Sequence, residues 1–176
     1  MSGYVCERLA TRHDRRQFDC GVTVLNQYLA NVASQDVKRK AAAVFVMVPR
    51  SQSLRVAGYY TLCTTSVELT SLPREFIKRL PRYPNVPAIL IGRLARDIPF
   101  PGLGSLLLAN ALGRCALVAS EIAASVIVVD TKGEETRKFY EKFGFLSLPN
   151  LPHRMFLPMS IAEELTHRID ESPASP

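Results

Sequence analysis

Apolar residues recur along this chain with two different periods, and the period assigns the elements. Val22, Leu25, Tyr28, Leu29, Val32 and Ala33 fall at helical spacing, which predicts an amphipathic helix over 21–40. Asp19 or Gly21 stands where its start would be capped. The apolar runs AVFVMVP (43–49) and SVIVVD (125–130) read as buried strands. Segments 4–9 and 56–69 read as further strands, the second joined to its predecessor by the turn-forming stretch 50–55. Segment 87–97 (PAILIGRLARD) has the apolar density of a central strand covered on both faces. Pro73 opens a short helix over 73–80. A long apolar helix is predicted over 104–120 and another helix over 134–143, followed by a short strand near Phe145 and a last one over 155–159.

The order strand 87–97, glycine turn, helix 104–120, strand 125–130 is a β–α–β unit set among hairpins. It predicts an α/β (α+β) architecture, a mixed sheet of six to seven strands flanked by helices. Gly102 and Gly104 stand at the carboxyl end of the unit's first strand. Open sheets bind ligands there, and a helix start offers unpaired N–H groups to an anion. No Lys-Ser/Thr follows the glycines, so this is not a Walker loop, and no third glycine is in register for a dinucleotide turn.

Composition narrows the reading. The 176 residues suit one domain, expected over 1–165, with a flexible tail over 166–176. The apolar share, 47%, is that of a folded chain. No apolar run reaches the roughly 18 residues of a membrane span. The start, Met1-Ser2-Gly3-Tyr4, has no basic stretch leading into an apolar one, so a cytoplasmic protein without a membrane role is expected. The four cysteines form no Cys-x-x-Cys pair and the three histidines are scattered, so no metal site is expected and the thiols should be reduced and mostly buried.

Net charge is +6 and unevenly spread: residues 1–100 carry 15 Lys/Arg against 7 Asp/Glu, and the rest 7 against 9. A basic face of that kind serves an anionic partner. Lys38, Arg39, Lys40, Arg74, Lys78, Arg79 and Arg82 are candidate phosphate contacts. Arg93 is a charge inside an apolar strand, where an unpaired cation is expensive. It must pair with a buried acid or face a substrate groove, and the groove is the expectation.

Two motifs then act together. A Gly-x-Gly turn opening a long helix is followed by FYEKFGF at 139–145, and the pair resembles the GNAT superfamily of N-acetyltransferases. The stretches FDCG-x-x-x-LN-x-YL (18–29), AGYYTLC (57–63), PAILIGRLARD (87–97) and DTKGEETRKFYEKFGF (130–145) are similar to the acetyltransferase toxins of type II toxin–antitoxin systems. The likeness covers roughly residues 3–160. It implies an acetyl-CoA-dependent enzyme that acetylates the α-amine of aminoacyl-tRNA and so blocks translation. By the same resemblance, Gly102, Leu103, Gly104 and Ser105 hold the pyrophosphate. Leu94, Ala95 and Arg96 meet the pantetheine arm, and Tyr140 protonates the leaving thiolate. The implied partner is a ribbon-helix-helix antitoxin that carries the complex to operator DNA, and a homodimer is compatible with the family.

The chain departs from the family turn at one place. The superfamily pattern Arg/Gln-x-x-Gly-x-Gly/Ala is here Pro99-Phe100-Pro101-Gly102-Leu103-Gly104. Pro101 has no N–H to offer. Two other readings follow: an acetyltransferase for a small amine or a protein amine, and a catalytically weak co-repressor that binds its antitoxin.

Overall fold

The computed structural model describes residues 3–170. The strands are β1 (Tyr4–Arg8), β2 (Ala43–Pro49), β3 (Gly58–Glu68), β4 (Asn85–Arg96), β5 (Val126–Asp130), β6 (Leu146–Leu148) and β7 (Leu151–Pro158). The helices are α1 (Thr23–Gln27), α2 (Ala33–Lys38), α3 (Arg74–Ile77), α4 (Leu103–Ala119), α5 (Glu134–Glu141) and α6 (Met159–Asp170). The strands form one seven-stranded mixed sheet in the order β1-β2-β3-β4-β5-β7-β6. The pairs β1–β2, β2–β3, β5–β7 and β6–β7 are antiparallel, and β4–β5 is parallel.

The described residues divide into two compact units, one of residues up to 63 together with 92–111, the other of 64–91 together with 112–170. In the first, Val44, Val46 and Val48 of β2 point to one face, where they join Phe18, Tyr28, Leu29, Ala33, Tyr59 and Ala95. On the opposite face of the same sheet region Phe45 stacks on its cross-strand partner Tyr60, with ring centroids 5.2 Å apart. The Tyr60 hydroxyl donates to Asn110 Oδ1 of α4 at 2.7 Å. Burial on both faces is why β2 reads as an unbroken apolar run.

In the second unit Val126 and Val128 of β5 pack with Ala88, Leu148 and Phe156, and Phe76 meets Phe156 edge-on at 5.2 Å. Helix α6 begins directly after β7 and passes Gly113 of α4, where an added Cβ would stand 3.3 Å from Thr166 Cγ2. The chain is helical through Asp170, so α6 reaches into the stretch expected to be a tail; 171–176 lie outside the described residues.

Three local expectations change. The helix over 21–40 is real, but a π-helical turn (Tyr28–Val32) separates α1 from α2. Asp19 and Gly21 do not cap it: the N-cap is Val22, with no side-chain cap bond. The Asp19 carboxylate instead accepts the Gly21 N–H and the Asn26 amide, a local bond that competes with capping. Strand β4 is not covered on both faces throughout, since exposed and buried positions alternate along part of it.

Beside β1, His13 is buried and its ring orientation is chemically defined. Nδ1 accepts the Ala10 N–H, so the proton sits on Nε2, which donates to Glu7 Oε1 at 2.8 Å. That bond, followed by Arg12, holds the Glu7 carboxyl below its ordinary value of 4.5, against the opposing effect of burial. A lowered folded value means that this contribution to stability is present above the unfolded carboxyl pKa and disappears as pH falls through the folded one. Replacing Glu7 with Gln should therefore lower the melting temperature at neutral pH, and the gap to the parent protein should narrow as pH falls below the ordinary carboxyl range in parallel thermal melts.

Candidate functional site

The parallel ladder between β4 and β5 runs from Ala88↔Val126 to Ile91↔Val129, although β4 itself continues to Arg96. Leu94 and Arg96 are partly buried and Ala95 is buried, so the predicted segment forms the carboxyl end of the central strand. The chain then turns sharply. Phe100 N–H donates to Asp97 C=O at 3.0 Å, Gly102 adopts φ +79, and α4 begins at Leu103. Gly102 takes the left-handed backbone that side chains resist, and open space surrounds its Cα. The N–H groups of Gly102, Leu103, Gly104 and Ser105 precede the first intrahelical bonds and stand without helical acceptors. No acidic side chain occupies the first turn of α4. This is an anion-ready helix start, lacking only the donor that Pro101 removes.

The turn is seated by close backbone approach. A Cβ on Gly58 of β3 would lie 2.6 Å from Leu107 Cδ1, 3.2 Å from Leu103 Cδ2 and 3.1 Å from the Ala95 carbonyl oxygen. Leu103 thus acts through its buried side chain as an anchor, while Gly102 and Ser105 remain exposed. The Arg96 guanidinium is spent locally, donating to the carbonyls of Asp97 and Ile98.

Arg93, expected in a groove or on a buried acid, takes a different partner. Its guanidinium carbon sits 3.6 Å from the centroid of the Tyr28 ring, and no carboxylate pairs with it among the described residues. Tyr28 belongs to the π-turn, stacks on Tyr59 and donates its hydroxyl to Asp36 Oδ2 at 2.9 Å. Burial, then the Asp36 bond, pushes the Tyr28 hydroxyl up to about 12, which keeps the donor protonated. The aromatic face satisfies the cation from one side and leaves its N–H edge available.

Tyr140 lies in the other unit, near the end of α5. It is 5% exposed, between the rings of Phe139 and Phe145. Its hydroxyl has no hydrogen-bond partner among the described residues, and burial raises its pKa, so it is a proton donor throughout the neutral range. At the start of α5 is an open cavity of about 570 Å³ lined by Asp130, Lys132, Glu134, Arg137 and His153, among others. Its charges are mixed, and Asp130 is already held by Arg154 through bonds of 2.7 and 2.9 Å.

The basic candidates separate. Lys38, Arg39 and Lys40 are exposed at the end of α2 in the first unit; Arg74, Lys78, Arg79 and Arg82 are exposed around α3 in the second. Only Cys115 is fully buried, against the expectation that most of the thiols would be. Burial raises the pKa of Cys20, Cys63 and Cys115, so none is an activated nucleophile. Among the described residues no cluster of His, Cys, Asp or Glu could hold a metal ion.

Sequence reasoning missed Gly58, Arg55, Tyr28 and Asp97. Tyr28, Gly58 and Asp97 lie inside recognised stretches, and an acid closing an apolar strand was a readable signal. The contacts of Arg55 and Gly58 carry no local signal, because their partners are about forty residues away in sequence. Gly58→Ala should destabilise the fold by about 1–3 kcal/mol, measured by urea unfolding, since the new methyl must displace Leu107 against a fixed carbonyl.

No protein-family model matches the chain. It is 31% identical over 163 residues to the probable toxin TacT of Sinorhizobium fredii, covering 88% of this chain and 90% of that one. It is 34% identical over 168 residues to the tRNA-acetylating toxin of Mycobacterium tuberculosis, covering 94% and 98%. Among solved structures, AtaT complexed with acetyl-methionyl-tRNAfMet superposes with TM-score 0.85 at 27% identity, over 92% of this chain and 98% of that one. AtaTR bound with acetyl-CoA gives 0.80 at 27%, over 94% and 99%. A mutant AtaT bound to the C-terminus of its antitoxin AtaR gives 0.79 at 25%, over 93% and 98%. No helix among the described residues is long and apolar enough to cross a membrane. With an anion-ready glycine turn, a protonated tyrosine on α5 and relatives matched nearly end to end, the chain belongs to the GNAT-type family of tRNA-acetylating toxins.

Proposed function

We propose that this protein transfers the acetyl group of acetyl-CoA to the α-amine of an aminoacyl-tRNA and thereby stops translation. The observation that carries the reading is the turn at the end of β4, with Gly102 at φ +79 and free N–H groups opening α4. Support comes from the M. tuberculosis relative, a tRNA-acetylating toxin, and from AtaT, solved with acetyl-methionyl-tRNAfMet and, as AtaTR, with acetyl-CoA.

The residues divide the work. Gly102, Leu103, Gly104 and Ser105 offer backbone N–H groups to the pyrophosphate of the acetyl donor. Leu94, Ala95 and Arg96 line the pantetheine arm with strand backbone. The amine nitrogen bonds to the thioester carbon, the C–S bond breaks, and Tyr140 gives its proton to the departing sulfur. The amine loses its own proton to solvent, and Tyr140 recovers one. An ester-linked amino acid has a weakly basic amine, so positioning and one acid suffice without a covalent intermediate.

Arg93 directs its free N–H edge at a phosphate or carbonyl oxygen of the charged tRNA end. Lys38, Arg39 and Lys40, with Arg74, Lys78, Arg79 and Arg82, contact the RNA backbone. Charged tRNA as substrate places the protein in the cytoplasm. An antitoxin of the ribbon-helix-helix class neutralises it and brings it to operator DNA; AtaT bound to the C-terminus of its antitoxin AtaR supports the antitoxin contact.

Labelled acetyl-CoA offered to charged tRNA, uncharged tRNA and free amino acids tests this directly. Label should appear on charged tRNA alone; transfer to free amines in preference to charged tRNA refutes the substrate. Tyr140→Phe should lower kcat by about 10²–10⁴-fold with an unchanged fold by circular dichroism. Arg93→Ala should raise KM for charged tRNA by about tenfold and leave KM for acetyl-CoA unaltered, in steady-state assays varying each substrate.

A further inference from the structure

We propose that Asp97 is a positioning residue for the acetyl-donor turn, acting with Arg55 and the loop of Asp19. This rests on the reading of Gly102–Ser105 as the phosphate cradle. Asp97 is 1% exposed, one residue past β4. Its Oδ1 accepts the Asp19 N–H at 2.9 Å, and its Oδ2 accepts Arg55 Nη2 at 3.1 Å. Its backbone is held as firmly: its N–H donates to the Ala57 carbonyl at 2.8 Å, and its carbonyl receives the Phe100 N–H and the Arg96 guanidinium. The next residue, Ile98, donates its N–H to the Asp19 carbonyl at 2.9 Å.

Arg55 links this carboxylate to the turn itself. Its guanidinium carbon lies 5.3 Å from the centroid of the Phe100 ring, and Phe100 is also met edge-on by Tyr4. Arg55 Nε is buried without a hydrogen-bond partner. A side chain that leaves a buried donor unsatisfied is poorly placed for stability alone, and its other contacts are the ones that fix it. An apolar pair would serve stability as well as a buried ion pair.

Pro99 and Pro101 explain the need. Neither has an N–H, so between Asp97 and Gly102 the turn can form few bonds of its own. Its position is imposed from outside, by the carboxylate below it and the guanidinium against its ring. A phosphate cradle made of backbone N–H groups works only when those groups converge, and a displacement of about 1 Å is costly. Asp97 thus supplies through geometry what the missing family Arg/Gln would have supplied as a donor.

The test is coenzyme A affinity by calorimetry for the parent protein, Asp97→Asn, Arg55→Met and the double variant, with Val128→Ala as a destabilised control from the other unit's core. Asp97→Asn and Arg55→Met should each raise Kd by about tenfold or more, and the double variant should be no worse than the worse single. In acetyl-transfer assays KM for acetyl-CoA should rise in step while kcat at saturation stays within about twofold. The control should lose stability and keep its Kd. Arg55→Lys should recover part of the affinity, because it restores charge without the flat stacking surface. Unchanged affinity in Arg55→Met overturns the proposal even if Asp97→Asn does not fold. Failure of the parent protein to bind coenzyme A would instead refute the acetyl-donor reading, and this inference with it.

Discussion

Neighbouring strands that run parallel cannot be joined by a hairpin, and β4 and β5 are such a pair, whereas β1–β2, β2–β3, β5–β7 and β6–β7 are antiparallel. Their connection must cross over, and α4 is that crossover. The helix therefore has to start beside the carboxyl end of β4, with its unsatisfied N–H groups at the strand's tip. Gly102 supplies the backbone angle of the entry, and Gly58 removes the one Cβ that would hold the helix away from β3. The exposed N–H groups at this helix start are a consequence of the topology, and the sequence keeps acids and side-chain bulk away from them.

At the buried tyrosines and thiols, burial is the main influence on protonation. Tyr140 sits between phenylalanine rings, and burial keeps its hydroxyl protonated. The thiols of Cys20, Cys63 and Cys115 are raised in the same way, which leaves none of the three activated. Charge is used where position matters: Arg93 over the Tyr28 ring, Arg55 between Asp97 and Phe100. Both are cations against aromatic faces, which fixes a guanidinium plane at less desolvation cost than a fully buried ion pair.

The π-turn shows how local and long-range forces combine. An uninterrupted helix over 21–38 would satisfy the apolar spacing, yet the backbone inserts a wider turn at Tyr28–Val32. That turn holds Tyr28 between Tyr59, Asp36 and Arg93. Such insertions cluster at functional sites because they re-aim a side chain without breaking the helix.

What the chain determined by itself is local and periodic. Apolar runs placed most strands to within a few residues and also the long helix α4, the 3.6-residue spacing placed the helical stretch 21–40, and Gly-x-Gly marked the turn that opens α4. The motif FYEKFGF helped to carry the family resemblance. Tertiary structure decided the rest, because it depends on residues far apart in sequence. Nothing near Arg93 foretells Tyr28 as its partner, sixty-five residues earlier. Nothing near Asp97 foretells that the amide of Asp19, 78 residues away, would meet it. Asp19 has the composition of a helix cap and became a loop organiser, since the carboxylate found closer donors in Gly21 and Asn26. Helical and strand periods are written in neighbours three, four or two residues apart, whereas a buried charge finds its partner only after the chain has closed around it.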